Sequence, residues 1–281
     1  MDAPLPPISA PIAETDTETD TETAPEAEAA GEPRASRVHR PVALVTGSTS
    51  GIGAAVARRL AADGYAVILH SRRSADAGRA MARELGGAYV RADLADDAER
   101  VRLIRDALAV HGRLDVLVNN AGVSRVIPHD DLSAATPDVW REMHEINVIA
   151  PFRLVAEAEA ALRESASRGR AGCVVNVSSH AGMRPKGASI PYAAAKAALN
   201  HTTRLLARTL APAIRVNAVA PGLVDTPLTA DWTEAQQLWR ERAPMRRAAT
   251  PDEIAQTVAM LVASDYVTGE IVMLDGGLNL T

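Results

Sequence analysis

The residues with the clearest chemical potential sit in Ser189–Asn200, SIPYAAAKAALN, where Tyr192 and Lys196 stand four positions apart in an Ala-rich stretch. The chain has only four Tyr. On a helix, residues four apart share a face. A phenol titrates near pH 10, so it is a poor proton donor or acceptor at neutral pH unless its phenolate is favoured. Lowering that value by roughly three units takes about 4 kcal/mol. One cation at about 4 Å in an effective dielectric near 20 supplies about that much. The pair is therefore suited to passing a proton to or from an alkoxide-like oxygen. A Tyr and a Lys at this spacing also occur on plain exposed helices, so the rest of the chain must supply the site around them.

A second chemical signal is TGSTSGIG, with Gly47, Gly51 and Gly53 after the apolar run VALV. The spacing is G-x-x-x-G-x-G, not G-x-G-x-x-G, but the physics is shared. Glycine accepts positive φ and lets backbone approach a ligand. A helix starting near Gly51 directs free N–H groups and its positive end at a pyrophosphate. The next apolar run ends VILHSRR, with Ser71 and Arg72 where a dinucleotide site selective for NAD carries an acid against the ribose 2′-hydroxyl. A guanidinium there suits a 2′-phosphate, which favours NADP(H), with NAD as the alternative.

The elements that must position these groups alternate regularly from Pro41 onward. Short apolar runs (VALVT, YAVILHS, AYVRA, LDVLVN, GCVVNVSS, IRVNAVA, EIVMLDG) are separated by helical patterns, including a long helix over about 137–165. The pattern predicts an α/β fold: one Rossmann-type, doubly wound, parallel seven-stranded sheet with helices on both faces. Ligands in such sheets bind beyond the carboxyl ends of the strands. Residues 1–40 are different. They are rich in Pro, Glu, Thr and Ala, and residues 1–33 hold nine acids with no Lys or Arg. This composition predicts a disordered acidic tail preceding a catalytic domain over 41–281.

Composition excludes several function classes. The net charge is -5. Without residues 1–33 the chain has 26 acids and 30 bases, a balance that suits an anionic ligand and does not indicate nucleic acid. A single Cys173 excludes an intrachain disulfide. No apolar run is long enough for a membrane span, no secretory signal is visible, and no His/Asp/Glu grouping argues for a metal. A cytoplasmic location is expected. His180, beside Ser179, is expected to border the pocket, and His144 and His201 are given no site role.

In order along the chain stand TGSTSGIG, Asp93 in RADL, NNAG at Asn119–Gly122, Asn147 in EINV, Ser179 in VNVSS, Tyr192-x-x-x-Lys196, PGLVDT at Pro221–Thr226 and a final DGG. In this combination the chain resembles the short-chain dehydrogenase/reductase family, including its 3-oxoacyl-carrier-protein reductases, over nearly all of 41–281. The resemblance implies hydride transfer between nicotinamide and a carbonyl or secondary alcohol. It implies Tyr192 as acid/base, Lys196 as its electrostatic partner and ribose ligand, Ser179 as the group positioning the carbonyl, and Asn147 as part of a proton relay. Ser179 lies 13 residues before Tyr192, the family spacing, which selects it over Ser178.

The same resemblance implies cofactor contacts at Gly47, Ser50, Gly51, Ile52 and Gly53, at Ser71 and Arg72, and at Asp93 and Leu94 beside the adenine. It implies Asn120, Ala121 and Gly122 under the ribose, and Pro221, Gly222, Val224 and Thr226 at the nicotinamide amide. Many NADP-dependent members carry Lys or Arg where this chain has Ser50, so 2′-phosphate recognition falls on Ser71 and Arg72. Residues 227–250, with Trp232, Leu238 and Trp239, are expected to form a lid over a small or medium carbonyl substrate. Arg240, Arg242, Arg246 and Arg247 in this segment are expected to be solvated. The family implies a homotetramer or homodimer. The alternatives are an NAD-linked sugar or alcohol dehydrogenase and a non-catalytic dinucleotide-binding regulator. Retention of Tyr192, Lys196 and Ser179 argues against the regulator.

Overall fold

The structure is a computed structural model that describes residues 40–281. The expected acidic tail lies, apart from Arg40, outside the described residues. Seven strands form one parallel sheet: β1 (Val42–Val45), β2 (Ala66–Ser71), β3 (Ala88–Arg91), β4 (Val116–Asn119), β5 (Gly172–Val177), β6 (Ile214–Pro221) and β7 (Ile271–Leu274). Their order is β3-β2-β1-β4-β5-β6-β7. The chain therefore winds outward from β1 in one direction, then returns to its other side at β4. The crevice between β1 and β4 is the topological switch point where ligands of such sheets bind.

The strands are apolar because both faces are covered. Along β1, Ala43 and Val45 face one layer and Val42 and Leu44 the other. The first layer packs under α1 (Gly51–Ala62), α2 (Ala75–Glu84) and α8 (Pro251–Ala263), through Val56, Leu60, Met81, Ile254, Val258 and Leu261. The second packs under α3 (Asp97–His111), α5 (Ala150–Ser167) and α6 (Ile190–Leu210), through Leu103, Leu154, Leu162 and Leu210. Fully burying each such Leu or Ile contributes about 1.5–3 kcal/mol.

Two local features bear on the site. The helix expected over about 137–165 is not uniform: α4 (Pro137–His144) runs through a π-helical turn, Glu145–Ile149, into α5. A π turn breaks the regular i→i−4 ladder. Here the side-chain amide of Asn147 donates to the Met143 carbonyl at 2.9 Å. In α6 the start is fixed locally. Ser189 caps it by accepting from the Tyr192 N–H at 3.4 Å, and Pro191 occupies the first turn. Tyr192 is thereby placed at the positive end of a 21-residue helix. Residues 227–250 contain α7 (Thr233–Arg242), which has no buried residue.

Candidate active site

The glycine loop is shaped by backbone that only glycine tolerates cheaply. Gly47 and Gly51 have φ of +62° and +51°. Gly53 is required for a different reason. A Cβ there would lie 2.3 Å from the Gly47 carbonyl oxygen and 2.4 Å from the Asn120 amide nitrogen. The start of α1 therefore sits tightly on the loop. Its N-cap, Ser50, makes no side-chain cap hydrogen bond, and its first turn carries no acid. The free N–H groups of this end remain for an anion.

Buried side chains brace the loop from behind. Thr46 Oγ1 donates to the Val118 carbonyl at 3.3 Å and accepts from the N–H groups of Asn120 and Ala121, both at 3.0 Å. Asn120 Nδ2 donates to the carbonyls of Thr46 (2.8 Å) and Gly47 (3.0 Å). His70 Nδ1 accepts from the Gly47 N–H at 3.2 Å while its Nε2 faces the Ala92 carbonyl at 3.0 Å. These contacts fix the neutral tautomer with the proton on Nε2. Burial pushes the His70 imidazole down to about 4. Sequence reasoning missed Thr46 and His70 as loop supports. The available signal was a lone polar ring ending the apolar strand AVILHS.

At the ribose end, the expected phosphate contacts divide. Ser71 is buried, and its hydroxyl lies 2.9 Å from the Tyr89 hydroxyl. Arg72 is exposed, with a guanidinium nitrogen 3.7 Å from an Asp93 oxygen. Arg72 is thus the accessible cation, and Ser71 is already engaged.

Tyr192 and Lys196 meet as their spacing requires. Lys196 Nζ stands over the Tyr192 ring, 5.8 Å from its centroid, and donates to the Val177 carbonyl at 2.9 Å. Lys196 is buried, and burial pushes its ammonium down to about 8. The expectation of a lowered phenol is corrected here. Burial raises the Tyr192 phenol, opposed by hydrogen bonding to the Ser179 hydroxyl. The ammonium faces the ring and is held by the Val177 carbonyl, and burial sets the direction of the phenol's shift. Of the two serines, Ser178 is buried and donates to the Lys196 carbonyl at 3.3 Å. Ser179 is half-buried and caps a short 3₁₀ turn, His180–Gly182, accepting from Ala181 N–H at 3.1 Å.

Asn147 is buried and bonded mainly to backbone. Besides Met143, its Nδ2 donates to the Val123 carbonyl at 3.0 Å, and its Oδ1 accepts from the Val123 N–H at 3.3 Å. It thereby anchors the segment after NNAG. Gly122 faces it: a Cβ there would lie 2.8 Å from Asn147 Oδ1 and 3.5 Å from Lys196 Nζ. On the far wall, the Thr226 methyl would lie 3.3 Å from a Cβ at Gly51. The segment after β6 therefore closes against the phosphate loop.

All the expected site residues except Gly53 line one cleft of about 1250 Å³. Gly53 lies behind it, where its role is close packing. The Trp232, Leu238 and Trp239 side chains of the 227–250 segment line the same cleft, while Arg240, Arg242, Arg246 and Arg247 do not. His180 lines it too, as expected. Among the described residues no cluster of His, Cys, Asp or Glu could hold a metal, and no helix is long and apolar enough to cross a membrane. A side-chain-free cradle, uncapped N–H groups and a rim guanidinium together fit a dinucleotide with its phosphates on α1.

Comparison with known proteins agrees with this geometry. Residues 47–279 match the family model described as enoyl-(acyl carrier protein) reductase. The chain is 49% identical over 248 residues to the granaticin polyketide synthase protein of Streptomyces violaceoruber named ketoacyl reductase 2, covering 85% of this chain and 96% of that one. The chain belongs to the short-chain dehydrogenase/reductase family. A 3-ketoacyl-(acyl-carrier-protein) reductase from Brucella melitensis, solved with NADH, superposes with a TM-score of 0.78 at 30% identity, covering 85% of this chain and 98% of that one. The RhlG/NADP active-site complex from Pseudomonas aeruginosa gives 0.79 at 31% identity, covering 86% and 98%. As a short-chain dehydrogenase/reductase, the chain is an NAD(P)-dependent oxidoreductase that interconverts ketones and alcohols.

Proposed function

We propose that the protein is an NADP(H)-dependent ketoreductase acting on a 3-oxoacyl thioester or a related ketone, with Tyr192 as the proton donor. The observation that carries this reading is the buried Lys196 ammonium over the Tyr192 ring, with Ser179 at the phenol. The glycine loop and the start of α1 would hold the cofactor's phosphates, and the reduced nicotinamide would supply the hydride for the carbonyl carbon. Ser179 donates a hydrogen bond to the carbonyl oxygen and fixes its position. The Tyr192 hydroxyl gives its proton to that oxygen as negative charge develops there.

A phenol raised by burial holds its proton at neutral pH, which is the state the reducing direction needs. The phenolate left behind is stabilised by the Lys196 ammonium that stands over the ring. The end of α6 adds a smaller favourable field. Asn147 and Lys196 line the cleft together beside Gly122, and Asn147 is the residue assigned to hold a water returning the proton to Lys196. Residues 227–250 act as the lid, with Trp232 and Trp239 over an apolar part of the substrate. The preference for NADP(H) rests on Arg72. Exposed Ile149 and Phe152 near the start of α5 and Leu205 on α6 support a homodimer or homotetramer.

The test is a panel of 3-oxoacyl thioesters, simple ketones and their alcohols, followed by nicotinamide absorbance with each cofactor. Turnover of ketones with NADPH is expected. Oxidation of sugars or simple alcohols with NAD alone would contradict the reading.

A further inference from the structure

His180 follows Ser179 directly and stands in the wall of the cleft, yet the proton chemistry above does not use it. It is only 6% exposed. Leaving a buried polar group without a partner is costly, so its surroundings decide its role. Its Nε2 lies 3.6 Å from Oδ2 of Asp275. That is too long for a hydrogen bond, but a carboxylate at this distance sets which ring nitrogen carries the proton. Asp275 is buried and held rigidly: its oxygens accept from the N–H groups of Gly277 at 3.0 Å and Asn279 at 2.8 Å. The imidazole also meets the Trp239 ring edge-on, with centroids 6.1 Å apart. Among the described residues, no protein group hydrogen-bonds its Nδ1, and the residue lines the cleft.

With the proton drawn to Nε2 by Asp275, Nδ1 is a lone-pair acceptor. Burial and the nearby Lys186 and Arg184 charges keep the ring neutral, while Asp275 opposes them. A neutral ring nitrogen with a free lone pair suits an O–H donor. Ser179 and His180 line the same cleft, so a substrate held by Ser179 lies in the cleft that His180 borders. We infer that His180 is a specificity residue that accepts a hydrogen bond from a substrate hydroxyl or enol, on the carbon one or two bonds from the reacting carbonyl. Asp275 sets its tautomer, and Trp239 covers it. The inference rests on the reading of Ser179 and Tyr192 as the pair that holds the reacting oxygen.

The test uses two substrate pairs in which hydroxyl replaces methyl: α-hydroxyacetophenone against propiophenone, and β-hydroxypropiophenone against butyrophenone. The full-length enzyme is expected to favour the hydroxyl member of at least one pair by roughly tenfold in kcat/KM, the size of one good hydrogen bond. His180→Leu is expected to bring that ratio to about one while still reducing propiophenone. His180→Gln, which keeps an acceptor, is expected to restore part of the preference. A native enzyme with no preference in either pair, or a preference that survives in His180→Leu, overturns the inference. Binding of the same four ketones, read by quenching of tryptophan fluorescence, gives the ratio without turnover. Absence of turnover with all four ketones would count against the ketoreductase reading, and the binding ratio would still decide the role of His180.

Discussion

The wall of the cleft built after β1, β2 and β4 is braced by Thr46, His70, Asn120 and Gly53, each in contact with backbone and nearly all of it buried. The facing wall, residues 227–250, carries α7 with no buried residue. The end of the segment is pinned, with Ala243 buried and the Met245 and Ala249 N–H groups bonded to the Gly276 and Leu223 carbonyls, whereas α7 itself has few attachments. Trp239 lies over Gly222, where a Cβ would come within 2.8 Å of the ring, and Thr229 ties the Val224 and Thr226 carbonyls together. The difference assigns the tasks. A phosphate site needs fixed N–H groups and no side chains, so rigidity serves it. An element with few buried contacts, such as α7, opens at low free-energy cost, which suits the substrate side proposed for it.

Changes on the two walls should therefore differ in kind. Gly53→Ala drives a methyl into the Gly47 carbonyl and should be the most damaging of these. It is expected to cost about 1–3 kcal/mol of stability and to weaken both dinucleotides by roughly 10- to 100-fold, measured by urea unfolding and cofactor titration. Acid should act on the same wall. His70 titrates at about 4 in the fold and about 6.5 unfolded. Between these values the unfolded chain binds the extra proton. Its contribution is thus complete above about pH 6.5 and is lost as pH falls, by about 3 kcal/mol in total. Urea midpoints should drop from pH 6.5 to 4.5 in the native protein and drop less in His70→Gln.

Arg72→Ala probes the exposed edge of the rigid wall. Losing a charged hydrogen bond of about 1.5–3 kcal/mol should raise KM for NADPH roughly 10- to 100-fold and leave NADH nearly unchanged. Equal effects would remove the case for phosphate recognition. Trp239→Ala on the facing wall should have the smallest effect on the fold, well under the about 3–5 kcal/mol of a buried Trp. It should raise KM for ketones and spare cofactor affinity. If it destabilised the protein as much as Gly53→Ala, the contrast between the walls would fail.

Much of the architecture was legible because it is written locally. Apolar runs alternating with helical patterns specify the parallel sheet, and the glycine loop and Tyr192–Lys196 are short-range patterns. What escaped notice depends on contacts across the chain. Thr46 reaches Asn120, His70 reaches Gly47, and Asp275 reaches His180 across a large sequence separation. The π turn at Asn147 was hidden because helical periodicity continues through it. The direction of the Tyr192 shift was also missed. Spacing brings the ammonium near, but burial raises the phenol against the hydrogen bond from Ser179.

The most direct measurement is single-turnover ketone reduction by Tyr192→Phe, with NADPH affinity determined on the same sample. The substitution removes one oxygen and leaves the ring beneath Lys196. Loss of reduction by at least about 100-fold, the usual share of general acid catalysis, with cofactor affinity unchanged, is the predicted result. Reduction at the native rate would show that the proton comes from elsewhere and that the phenol is not the donor.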